Sequence, residues 1–199
     1  KIIISPSNKQ FIFKDNKYLL GKSDKNKDQF DILLFARRDI NEISIPPNIT
    51  KICDNAFSYC YNLLKVEIPT NSNLQTIGQD AFSYSNIKKI CIPSNLTKLR
   101  KNAFCGCSNL RKVEFPTNSS LQTIESFAFS KLNIEVFFIP SSLTQIYEHT
   151  FFLCNNFKII EISEESKIQF IPKTFCGSKK LVIMIPLTLT ELIQTINST

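Results

Sequence analysis

Ile45-Pro-Pro-Asn-Ile-Thr-Lys-Ile-Cys-Asp-Asn-Ala-Phe-Ser-Tyr-Cys-Tyr-Asn-Leu-Leu-Lys-Val66 is written a second time as Ile92-Pro-Ser-Asn-Leu-Thr-Lys-Leu-Arg-Lys-Asn-Ala-Phe-Cys-Gly-Cys-Ser-Asn-Leu-Arg-Lys-Val113. Around these two copies lies a longer beat. Pro46, Pro69, Pro93, Pro116, Pro140, Ser163 and Pro186 follow one another at intervals of 23 or 24 residues, and each ends a short apolar string such as Val66-Glu-Ile-Pro69 or Phe137-Phe-Ile-Pro140. Self-similarity at this period marks a solenoid of stacked coils, in which each coil buries its apolar stripe against its neighbours. Within a coil, Val66 and Ile68 alternate with Lys65 and Glu67, the period-two pattern of a half-buried strand. Pro69 lacks an N–H and ends that strand. Asp54-Asn-Ala-Phe57 then predicts a tight helical turn with Asp54 as its cap.

The inner residues recur from coil to coil. The Ala-Phe pair stands at 56–57, 81–82, 103–104 and 128–129, and becomes Thr150-Phe151 and Thr174-Phe175. Rings repeated at one register predict an aromatic spine. A second period lies inside the first: segments after Pro69, Pro116 and Ser163 run long, and those after Pro46, Pro93 and Pro140 run short. Pro46–Ile92 aligned on Pro93–Ile139 gives 27 identities in 47 positions, so the duplicated unit is a pair of coils. Residues 1–41 keep the apolar strings but lose the spacing, and read as irregular coils capping the array. Residues 42–199 read as six coils and the start of a seventh. Lys1-Ile-Ile-Ile-Ser5 resembles a strand in mid-array and Leu189–Thr199 the opening of another coil, so the chain is read as a piece of a longer protein.

The string Ile-Pro-x-x-Ile/Leu-Thr-x-Ile/Leu-x-x-x-Ala-Phe-x-x-Cys-x-x-Leu-x-x-Val resembles the BspA-like class of leucine-rich repeats over about residues 40–196. The longer Asn-Ser variant is similar to alternating repeats of surface proteins from parasitic protists. The resemblance implies a leucine-rich-repeat solenoid: a right-handed curved superhelix with a parallel β-sheet on one face and short turns, 3-10 or helical, on the other. It also implies display at a cell surface and adhesion to host proteins or other cells, with no catalytic residues to carry over. The turn at Thr174-Phe-Cys-Gly-Ser178 departs from the pattern, as does Ser163 in place of proline.

Composition narrows function further. The net charge is +7, with a basic cluster at Lys88, Lys89, Lys98, Arg100, Lys101, Arg111 and Lys112. Later coils are acidic at Glu125, Glu135, Glu148, Glu161, Glu164 and Glu165. This bipolar pattern fits a solvated face or a contact with an anionic glycan or acidic protein. It lacks the stacking aromatics or recognition motif that nucleic-acid binding requires. No apolar run is long enough to span a membrane.

Seven cysteines raise the question of bridges or metal. Cys60, Cys107 and Cys154 share one register two coils apart, about 10 Å, beyond the reach of a bridge at about 7 Å. Cys105-Gly-Cys107 has no second pair to complete a metal site. All seven are therefore read as free thiols. The single histidine, His149, occupies the place of Asn55 and Asn102 and reads as exposed punctuation. Gly21-Lys22-Ser23 lacks the earlier glycine of a phosphate loop. With no convergent acid, base and nucleophile, the reading is a binding module with no cofactor and no metal. Asn62, Asn86, Asn109, Asn133 and Asn156 recur before the inward apolar residue, and are expected to serve left-handed turns. Asn48, Asn95, Asn118 and Asn197 begin Asn-x-Ser/Thr sequons, which suit an exported chain.

The expected binding face is the outward side of the strands: Lys65 and Glu67, Lys89 beside Cys91, Lys112 and Glu114, then Val136 and Phe138, Ile159 and Glu161, Val182 and Met184. Facing outward, Val136, Phe138, Ile159, Val182 and Met184 would make an apolar patch beside a Lys/Glu stripe, and large exposed patches mark interaction sites. The implied partner is a protein, host or cell-surface, or a glycan. An intracellular scaffold or sensing array is the alternative, and it suits free cysteines. The oligomeric state is unspecified by the repeat pattern.

Overall fold

A computed structural model describes residues 3–170, 173–177 and 182–184. Pro186, the seventh coil and the sequon at Asn197 lie outside the described residues. Three strands open the chain: β1 (Phe11–Lys14), β2 (Tyr18–Gly21) and β3 (Ile32–Ala36), paired antiparallel in succession. Then follow β4 (Glu42–Ser44), β5 (Lys51–Ile52), β6 (Lys65–Glu67), β7 (Thr76–Ile77), β8 (Lys89–Cys91), β9 (Lys98–Leu99) and β10 (Lys112–Glu114). The array continues with β11 (Thr123–Ile124), β12 (Val136–Ile139), β13 (Gln145–Ile146), β14 (Ile159–Ile162), β15 (Gln169–Phe170) and β16 (Val182–Met184).

Each coil contributes a rung to three ladders. From β4 onward the even-numbered strands are those that precede the repeat-ending prolines or Ser163, and they pair in parallel as β4–β6, β8–β10 and β12–β14–β16. The two-residue strands β5, β7, β9, β11, β13 and β15 form the longer sheet with β3, in the order β3-β5-β7-β9-β11-β13-β15, to which β1 and β2 add at the N-terminal edge. This is the uninterrupted sheet, because one apolar residue per rung, Ile52, Ile77, Leu99, Ile124 and Ile146, is wholly buried and fixes the register. The irregular N-terminal stretch joins that sheet through Ile32↔Lys51 and Leu33↔Ile52.

The third ladder replaces the expected capped helical turn. No helix occurs among the described residues; the segment around Ala56-Phe57 is a run of turns. Alternate amides divide the work. Ala56, Ser58 and Cys60 donate three residues back within the coil, while Asn55, Phe57 and Tyr59 donate to Gln79, Ala81 and Ser83 of the next coil. The alternation needs left-handed backbone twice per coil, at 55 and 59, 80 and 84, 102 and 106, 127 and 131, 149 and 153, and 173 and 177. Gly106 (φ +71°) serves one of these places, and the Tyr84 ring lies where a Cβ would stand, 2.6 Å away. Asp54 does not cap its own turn. Its Oδ1 accepts from the Gln79 amide of the following coil at 2.9 Å.

Inside the three ladders the Ala-Phe pairs are fully buried. Phe57, Phe82, Phe104, Phe129, Phe151 and Phe175 stack in sequence at centroid spacings of 4.8, 5.2, 5.5, 6.0 and 5.6 Å. Near-parallel rings at this spacing follow from the coil repeat itself, which sets one ring above the next.

Candidate binding face

The outward residues of the even-numbered strands share one laddered face. Lys65, Glu67, Lys89, Cys91 and Lys112 are exposed, and Glu114 is half-buried. Glu114 accepts from both Lys89 and Lys112 at 2.7 Å, and Lys65 meets Glu67 at 2.6 Å. The lysine hydrogen bonds, Lys112 first and then Lys89, hold the Glu114 carboxyl below the ordinary range, and the Glu67 carboxylate raises Lys65. This half of the face satisfies its own charge. The basic cluster is partly answered too, since Lys98 and the Lys101 amide both contact Glu125.

The other half is apolar. Parallel pairing sets Val136, Ile159 and Val182 in one row and Phe138, Glu161 and Met184 in a second. Val136, Phe138, Val182 and Met184 are 45, 43, 61 and 55 % exposed, and Ile159 is half-buried. A single carboxylate, Glu161, interrupts the second row.

The even-numbered ladder also opens a groove. Ladder pairing is absent between β6 and β8 and between β10 and β12, the two coils within each duplicated unit, whereas β8 and β10 pair across the boundary between units. At the first of these gaps a groove of about 780 Å³ is lined by Leu64, Ile68, Pro69, Lys88, Lys89 and Cys91, among others. At the second, Phe115 stands where Ile68 stands in the first, and packs edge-on against Phe137 at 5.6 Å. The groove was not read from the sequence, although Ile68 and Phe115 are the one difference between the strings Lys65–Ser72 and Lys112–Ser119.

Several other polar residues serve the stack. Cys107 and Cys154 are buried and donate to the carbonyls of Phe82 and Phe129 in the preceding coil at 3.0 and 3.1 Å. Burial pushes their thiols up to about 12 and about 11, which disables them as nucleophiles. His149 is not exposed as expected. It is half-buried, stacked on Phe127 at 5.0 Å and edge-on to Phe152. The Asn series is likewise corrected. None of Asn62, Asn86, Asn109, Asn133 and Asn156 has left-handed backbone; instead Asn109 donates its amide to Asn86, and Asn156 meets Asn133. Among the described residues no group of three His, Cys, Asp or Glu could hold a metal ion. No helix among them is long and apolar enough to cross a membrane.

Similarity to known proteins agrees with this architecture. Comparison with curated proteins finds no match. Among solved structures, the pneumococcal vaccine antigen PcpA is 27 % identical with a TM-score of 0.59, over 63 % of this chain and 31 % of that one. This chain thus spans about a third of PcpA. A leucine rich cell surface protein from Faecalibacterium prausnitzii (16 % identity, TM-score 0.38, 77 % and 62 % coverage) and a T. pallidum leucine rich repeat protein (15 %, 0.45, 92 % and 94 %) are looser likenesses. The family model of the BspA type leucine rich repeat region matches residues 32–158 and 75–198, in six copies. The chain belongs to the BspA-type leucine-rich-repeat family.

Proposed function

We propose that this array is a non-catalytic, surface-displayed binding module that engages a protein partner through Val136, Phe138, Ile159, Val182 and Met184. Glu161 lies within the contact, and Lys65, Glu67, Lys89, Lys112 and Glu114 form its polar flank. The observation that carries the reading is the pair of exposed apolar rows on a laddered face, where packing of the array requires only the inward residues. Glu161 between Phe138 and Met184 suits a partner that brings one basic group into an otherwise apolar contact, since an unpaired carboxylate loses its water at a cost. Display is supported by the similarity to a pneumococcal vaccine antigen. Copies on one surface would add avidity to weak single contacts.

Phe138→Asp is the test. Binding of the array to intact target cells or to a purified cell-surface fraction is expected to fall at least tenfold, while the melting temperature stays within a few degrees. Unchanged binding by Phe138→Asp and by a Val182→Asp variant would remove the patch from the contact. An intracellular scaffold is the second reading, favoured by seven unbridged cysteines. Membrane-impermeant labelling of intact cells distinguishes the two.

A further inference from the structure

Three sequons fall in the described residues, and all three asparagines occupy the same place, the third residue of a β-turn closed onto the strand-ending proline. The closing bonds are Ile49 to Pro46, Leu96 to Pro93 and Ser119 to Pro116, at 3.1, 3.2 and 3.0 Å. What differs is the side-chain amide. Asn48 is half-buried and donates Nδ2 to the Phe30 carbonyl at 2.8 Å, and the hydroxyl of its sequon, Thr50 Oγ1, donates to the Asp31 carbonyl at 3.1 Å. Asn95 donates Nδ2 to the Ser72 carbonyl of the preceding coil at 2.9 Å. Asn118 belongs to a long segment. It is exposed, as are Thr117 and Ser120, and neither its amide nor the Ser120 hydroxyl has a side-chain hydrogen bond among the described residues. The backbone there is nonetheless held: Ser120 N donates to the Ser94 carbonyl at 2.9 Å, and Leu121 N to Ser119 Oγ at 3.3 Å.

We propose that Asn118 is the N-glycan acceptor of this array and that Asn48 and Asn95 are structural asparagines that only share the sequon. The acceptor signature needs a free carboxamide and a hydroxyl two residues on, and Asn118-Ser-Ser120 is the sequon that offers both without breaking an inter-coil bond. The donor is a polyprenyl-diphosphate oligosaccharide. The anomeric carbon forms a bond to Asn118 Nδ2, its bond to the diphosphate oxygen breaks, the lipid diphosphate leaves, and one amide proton is lost. No oxidant or reductant is involved. The inference rests on the surface reading, because an exported chain is what meets such a donor.

The experiment sends the chain, with a secretory leader and a reporter sequon on an appended tail, through a glycosylating eukaryotic host. Secreted, folded protein is treated with an amidase that converts glycosylated Asn to Asp, and its peptides are mapped by mass. The large majority of molecules are expected to carry a glycan at Asn118, with none at Asn48 and little at Asn95. Asn118→Gln should lose that glycan mass with no change in melting temperature. An unmodified Asn118 beside a modified reporter sequon overturns the proposal, as does equal occupancy of all three asparagines. The surface reading is tested separately by membrane-impermeant labelling of the cells that make the protein. Its failure there leaves the acceptor chemistry of Asn118 in the host intact, whereas surface labelling with an unglycosylated Asn118 sinks this proposal alone.

Discussion

Replacing Ser142 by Asn is expected to stabilise the array. Ser142 stands two residues after Pro140, where Asn48 follows Pro46 and Asn95 follows Pro93. Both asparagines send Nδ2 back to a carbonyl of the preceding coil, of Phe30 and of Ser72. The equivalent acceptor for residue 142 is the carbonyl of Ser119, 23 residues back as Ser72 is from Asn95. A serine side chain is too short to reach it, and Ser142 Oγ is left buried with no partner. Asn supplies the missing inter-coil bond, worth about 0.5–1.5 kcal/mol net, and removes an unsatisfied hydroxyl. Ser142 is only half-buried, so the added atoms have room at the edge. For a chain of this size about 1 kcal/mol raises the melting temperature by about 2–4 °C. Thermal unfolding followed by circular dichroism, on bacterially made protein that carries no glycan, measures it. Asn95→Ser should lose a comparable amount. If Ser142→Asn is neutral and Asn95→Ser costs nothing, the amide rung is not a stabilising device and the reasoning fails.

Two further outcomes follow from the interior. Phe104 is fully buried between Phe82 and Phe129, so Phe104→Ala should cost about 3–5 kcal/mol in chemical denaturation; a shift too small to resolve would show that the stack is not core. Asp31 is 5 % exposed; burial pushes its carboxyl up, but hydrogen bonds from Lys27 and Ser23 outweigh burial and hold it at about 2. Its folded value is below the unfolded one, so its contribution is full above about pH 5 and is lost as pH falls towards 2, on the order of 2 kcal/mol. Asp31→Asn should flatten the acid limb of a stability-versus-pH curve, and an unchanged limb would show that another carboxylate controls it.

The fold was legible because a solenoid repeats its physics as well as its letters. The prolines located the even-numbered strands, the alternation of Lys65-Val66-Glu67 told inside from outside, and the Ala-Phe pair located the stacked rings. The turn was misread at Asp54 and at the Asn series because a single coil was treated as self-contained. In a stack the nearest hydrogen-bonding partner lies one coil away, so Asp54 serves the Gln79 amide and Asn109 serves Asn86. Positive-φ positions fell on Tyr59, Tyr84, Phe127 and Leu153, residues with no turn preference, because the inter-coil amide ladder compels the backbone there. His149 was misplaced for a related reason: its neighbour Phe127 is distant in sequence and adjacent in the stack. The groove was invisible because its cause is a difference between copies, whereas repeat reading attends to what they share.

That distinction between shared and differing residues bears on the binding face. In the strand Val136-Phe-Phe-Ile139, Phe137 is buried and contacts Phe115, Phe129 and Phe151, while its neighbour Phe138 points outward and is 43 % exposed. The array accounts for Phe137 completely and for Phe138 not at all. The same holds at Val182 and Met184, whose counterparts in earlier coils are Lys65 and Glu67, Lys89 and Cys91, or Lys112 and Glu114. Those earlier rungs show that the fold accepts charge at these positions and neutralises it locally. Apolar side chains there forfeit solvation without adding to the core, since each rung is already closed by its inward residue. A surface row that costs solubility and contributes nothing to packing is best explained by a contact outside the chain. Phe138, rather than the more exposed Val182, is the residue on which that contact should depend most, because an aromatic ring offers the largest area to bury.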